Sequence, residues 1–241
     1  MLRPRPVAPR PLAAMIALGV ALASAADAHA ALHLISITEV FPGAPAAPSA
    51  QYIELQMYAG GQTVVGGAFV VVYDASNAEL GRFTFTANVP NGANQAQILI
   101  ATTQAQTLFG VTANLTMTAI LPRTGGKVCF ESAGFGAIDC VAWGDHPGSA
   151  AGGGQVNVGP PLSPVLGLVP GRSAVRRLDV AGSPSVLEGT DDTNDSASNF
   201  GFGLPTPRNN ANQSGTLPPS TCGNTTVEGV EQTVRISDHL P

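Results

Sequence analysis

What most constrains this chain is the brevity of its apolar runs. No helical repeat of apolar residues outlasts about two turns, whereas short runs punctuated by Gly, Pro, Asn and Ser recur from His33 onward. Ile53, Leu55 and Met57 alternate with Tyr52, Glu54 and Gln56, and Phe83 and Phe85 alternate with Arg82, Thr84 and Thr86, which is the period of a half-buried strand. "AFVVVYD" from Ala68 and "QILIAT" from Gln97 are nearly continuous, as central strands between packed layers are; "HLISITEV" from His33 reads as the first strand and "SAVRRLD" from Ser173 as a late one. Only "TQAQTLFG", Thr103 to Gly110, reads as a helix, with a capping threonine and a closing glycine. The rhythm predicts an all-β fold, an antiparallel β-sandwich with long loops.

The opening residues carry a different signal. Arg3, Arg5 and Arg10 precede an apolar run from Leu12 to Ala23, and the small-x-small triplet Ala28, His29, Ala30 follows. This is the three-part plan of a secretory signal peptide, and the run is shorter than the roughly 20 residues of a membrane span. The expectation is a leader over residues 1–30, cleaved near Ala30, a secreted or cell-envelope location, and no membrane span in the mature chain. Of 11 basic and 16 acidic residues the leader holds three and one, which leaves 8 against 15 and a net charge of −7. That balance argues against a nucleic-acid partner, whose phosphates need Lys and Arg; Lys127 is the single lysine.

"GKVCFESAGFGAIDCVAWG" is the clearest hairpin, with strands Lys127 to Ser132 and Ala137 to Trp143 around a loop from Ala133 to Gly136. Pairing Ser132 with Ala137 and counting outward sets Cys129 opposite Cys140, at a spacing a disulfide can bridge. Two buried free thiols also fit that placement. Cys222 is then left over, either free or paired with another molecule. Phe130 and Trp143 alternate with Cys129, Glu131 and Ala142 and so belong to a core face.

Candidate chemistry is sparse. Ser173 in "GRSAV" lacks the closing glycine of a nucleophile elbow. His146 follows Asp145 in a Gly/Pro turn and reads as part of that turn. "GSAAGGGQ" has Gly154 where a phosphate loop needs lysine. The remaining candidate is "GTDDTNDSASNF", where Asp191, Asp192 and Asp195 offer the hard oxygens that calcium prefers. An EF-hand register from Asp191 puts Ser196 at the glycine position and Phe202 at the glutamate position. The other reading is punctuation: Asp and Asn side chains bonding nearby backbone N–H groups, with Phe200 plugging the core. Glu39 shares strand parity with Ile35 and Ile37, so a straight first strand turns it inward; it then needs a partner such as Arg176, or a place at the strand's exposed end.

Taken in order, "ISITEVFP", "QYIELQ", "GGAFVVVYD", "GKVCFESAGFGAIDCVAWG" and the closing "SAVRRLD", "DDTNDSASNF" and "PTPRNN" resemble the lamin tail domain. That family of immunoglobulin-like β-sandwiches occurs widely in exported bacterial proteins. The resemblance covers about residues 33–210 and departs from the family in the long insertion after Trp143. It implies an immunoglobulin-like sandwich used as an interaction or surface module, with no shared catalytic residues. "CGNTTVEGVEQT" from Cys222 is similar to the opening of the cysteine-rich repeats of exported myxobacterial proteins, but Thr233 stands where a second cysteine is expected.

The domain is thus expected over residues 31–210, followed by an irregular, flexible Pro/Asn/Ser-rich tail over 211–241. The functional expectation is an exported, non-enzymatic binding or structural module without a cofactor, directed at a protein or surface partner. The alternative is a calcium-assisted hydrolase or calcium-stabilised adhesin using Asp191, Asp192 and Asp195.

Overall fold

A computed structural model describes residues 32–148 and 158–219. The expected leader over residues 1–30, Gly153 and Gly154, Cys222 and the chain beyond residue 219 lie outside them. Among the described residues ten strands form two sheets. The first orders β10 (Phe200–Gly203), β9 (Ser173–Arg176), β1 (Ile35–Phe41), β2 (Tyr52–Met57), β5 (Gln97–Ala101) and β6 (Leu115–Thr116). The second orders β4 (Glu79–Thr84), β3 (Phe69–Asp74), β7 (Gly125–Ser132) and β8 (Gly136–Gly144). Pairing is antiparallel except for the two-residue contact of β5 with β6. The chain is an all-β sandwich.

Alternation explains how the layers meet. Ile53, Leu55 and Met57 of β2 and Ile98 and Ile100 of β5 face Val70 and Val72 of β3, Val128 and Phe130 of β7, and Val141 and Trp143 of β8 in one buried cluster. Each such side chain contributes roughly 1.5–3 kcal/mol of burial. Trp143 also satisfies its indole, donating to the carbonyl of Pro122 at 2.7 Å. The opposite face of the first sheet is buried too, under a short helix α1 (Thr103–Phe109). There Phe41, Tyr52 and Phe109 pack with ring centroids 5.2–5.5 Å apart. The helix is capped by the hydroxyl of Thr102, one residue before the segment read from the sequence, and ends at Gly110 with φ 67°.

Two bulges redirect side chains. In β1 the register with β2 shifts between Ile37 and Glu39, so Ile35, Ile37 and Val40 all enter the core while Glu39 turns to the opposite face. In the β7–β8 hairpin Ser132 pairs with Gly136 and Glu131 with Ala137, and a bulge then restores Cys129 opposite Cys140. The expected Ser132–Ala137 pairing is therefore displaced by one residue, and the bulge compensates for it. The two sulfurs lie at disulfide distance. Hydrogen-bonded structure runs past Asn210: Arg208 bridges Ser214, Gly215 N–H donates to Pro207 O at 3.1 Å, and Leu217 packs on the α1 cluster.

Candidate functional site

The outward face of β1 and β2 brings two carboxylates together. Glu39 and Glu54 are cross-strand partners, and each is more than nine-tenths buried. What covers them is "PTPR", Pro205 to Arg208. The prolines lack N–H groups, so this stretch has two backbone donors, and both are used: Thr206 N–H donates to Glu39 at 3.0 Å and Arg208 N–H to Glu54 at 2.6 Å. Glu39 also accepts from the Tyr52 hydroxyl and, at 3.3 Å, from the Thr206 hydroxyl; Glu54 accepts from Thr38 at 3.3 Å. The Tyr52 hydroxyl lies 3.3 Å from the buried Ser173 hydroxyl.

Burial dominates the electrostatics of this pair. It raises the Glu39 carboxyl above its usual range, and it raises Glu54 well above, with the charge of Glu39 adding to the effect. Tyr52 is held well above the usual phenol value by burial and then by Glu39. Beside the strap lies a cleft of about 350 Å³, lined among others by Thr38, Glu39, Glu54, Gln56, Gln97 and Arg208. Sequence reasoning passed over Glu54 because its alternation with Ile53 and Leu55 resembles a solvent-facing position; the cover comes from a segment some 150 residues later in the chain.

The expected Glu39–Arg176 contact is not formed. Glu39 is buried, not at an exposed strand end, and its N–H partner is Thr206. Arg176 instead pairs with Asp139 at 2.5 Å, both side chains almost wholly buried. The β1 bulge opens this position: Ile37 N–H donates to Asp139 Oδ2 at 2.6 Å, and Arg176 Nε donates to Ile37 O at 2.7 Å. The guanidinium also lies 4.7 Å from the centre of the Phe200 ring. One ion pair thus ties β8 of one sheet to β1 and β9 of the other. Burial pushes the Asp139 carboxyl up to about 6 even though Arg176 pulls it down.

The Asp-rich loop separates its aspartates instead of converging them. Asp191 Oδ2 accepts from Glu188 N–H at 2.9 Å in a single 3₁₀ turn, Gly189–Asp191. Asp192 Oδ1 accepts from Asn194 N–H at 2.9 Å, and Asp195 caps the turn of helix Ser196–Asn199 through Ser198 N–H at 3.0 Å. Among the described residues no three His, Cys, Asp or Glu side chains are placed to hold a metal ion. Asp191, Asp192 and Asp195 thus each accept from a different backbone N–H of the loop. The loop lies between β9 and β10.

His146 is buried, its Nδ1 accepts from Gly148 N–H at 3.0 Å, and its Nε2 lies 2.9 Å from Asn77 Oδ1. Burial, helped by the charge of Lys127, lowers its pKa to about 4. Asp145 is exposed and does not orient the ring. No protein-family model, curated protein or solved structure significantly matches this chain.

Proposed function

We infer that this protein is an exported, non-enzymatic surface module of lamin-tail type, structural or binding in role and working outside the cytoplasm. The observation that carries the reading is how its buried carboxylates are used. Glu39 and Glu54 are saturated by Thr206, Arg208, Tyr52 and Thr38, and Asp139 is saturated on one oxygen by Ile37 and Arg176. Catalytic acids need a proton free to exchange with substrate, and the oxygens named here accept from backbone donors and side chains of the fold itself. The signal-peptide pattern supplies the location, and the ordered set of short motifs supplies the family resemblance.

The test is a panel of phosphoester, glycoside and peptide substrates, with and without divalent metal, using the purified mature chain. No turnover above buffer is expected. Turnover that disappears in a folded Glu54→Gln variant would overturn the reading, because it would assign the carboxylate pair a chemical role.

A further inference from the structure

The lone lysine sits in an arrangement that none of the preceding roles uses. Lys127, on β7, is fully buried, and its Nζ lies 2.8 Å from Asn77 Oδ1. Asn77 belongs to the β3–β4 turn and has φ 66°. The same carboxamide oxygen faces His146 Nε2 at 2.9 Å. Because Nδ1 of that ring takes the Gly148 N–H, Nε2 carries the ring proton and donates it to Asn77. One carbonyl oxygen is therefore held between a potential nucleophile and a neutral N–H donor. The Tyr73 ring closes the site, its centre 4.7 Å from Nζ.

We propose that Lys127 and Asn77 react with each other to form an intramolecular isopeptide bond. The Nζ lone pair attacks Cγ of Asn77, and the electron pair of the C=O bond moves onto Oδ1, where the His146 N–H meets it. The proton lost by Nζ passes to Nδ2, the Cγ–Nδ2 bond breaks, and the carbonyl re-forms. Amine plus carboxamide gives a secondary amide plus ammonia, so no oxidant or co-reactant enters.

Three features favour the step. Burial lowers the pKa of Lys127, which enlarges the neutral, nucleophilic fraction of the amine. His146 stays neutral near pH 7, so it serves as a steady donor to the developing oxyanion and adds no second positive charge. The fold has already brought amine and carboxamide together, the proximity that makes intramolecular reactions of this kind fast. The product would tie the β3–β4 turn to β7 two residues from Cys129, so one sheet face would carry two covalent links. This proposal does not depend on the module's role.

Intact-mass measurement on the purified, disulfide-reduced chain after incubation at neutral pH is the test. The expected mass is lower than the sequence mass by one ammonia, and proteolysis should release a branched peptide joining Lys127 to Asn77. Lys127→Arg keeps a cationic donor toward Asn77 but removes the nucleophile, so it should retain the full mass. Asn77→Ala should do the same, and His146→Phe should slow the loss. A folded wild-type chain that keeps its full mass overturns the proposal. So does an ammonia loss that persists in Lys127→Arg, which would place the reaction elsewhere, for example at Asn91 before Gly92.

Discussion

At the seam between the sheets Asp139 meets a guanidinium, whereas on the outer face of the six-stranded sheet Glu39 and Glu54 meet each other across two strands with no ion pair among the described residues. Both sites are buried, yet they solve desolvation differently. The seam supplies an opposite charge; the outer face supplies backbone N–H groups from a proline-spaced strap and hydroxyls from Tyr52, Thr38 and Thr206. The first arrangement is strong only while both partners are present. The second spreads the load over several neutral donors, so it tolerates neutralisation of one member but not loss of the donors.

Breaking the seam should have the largest effect. Arg176→Met leaves Asp139 as an uncompensated buried charge, and denaturant unfolding at pH 7 should show a loss of about 3–5 kcal/mol. Adding Asp139→Asn to that variant should recover part of the loss, since the stranded charge is gone.

The pH profile comes next. The Asp139 carboxyl titrates near 3.8 in an unfolded chain and near 6 in the fold, so the native state holds the extra proton between those values. Its stability contribution is complete below about 4 and is lost as pH rises through about 6, a span worth about 3 kcal/mol. Glu39 and Glu54, both raised, act in the same direction. Stability should therefore rise on acidification from pH 7 to 5, and Asp139→Asn should flatten that slope.

On the outer face, Thr206→Pro deletes the N–H that Glu39 accepts and should cost about 1–3 kcal/mol in the same unfolding assay. Glu54→Gln should change stability least, by under about 1 kcal/mol and toward stabilisation. Its amide oxygen still accepts from Arg208 N–H, and the facing like charge disappears. A large loss in Glu54→Gln would erase the contrast between the two sites.

Much of the sandwich was legible from period-two alternation, including β2, β3, β5 and the inward Phe130 and Trp143. The Cys129–Cys140 opposition was also legible, although by a count whose loop length was one residue too long and was rescued by a bulge. Bulges are what local reading misses, because one extra residue reverses the face of all that follows. That is why a straight first strand turns Glu39 toward the core, whereas the bulge in β1 puts it on the opposite face. β10 escaped because "FGFG" offers two glycines in four residues, a composition that also suits a turn. The carboxylate pair escaped because its cover, Thr206 to Arg208, is remote in sequence.

The buried glutamates hold the Pro205–Arg208 strap as part of the fold. Amide hydrogen exchange at Thr206 and Arg208 measures this directly. Protection comparable to the β1–β2 ladder, lost at Thr206 in Glu39→Ala and at Arg208 in Glu54→Ala, is the predicted result. Exchange as fast as an exposed loop in the wild-type chain would contradict it.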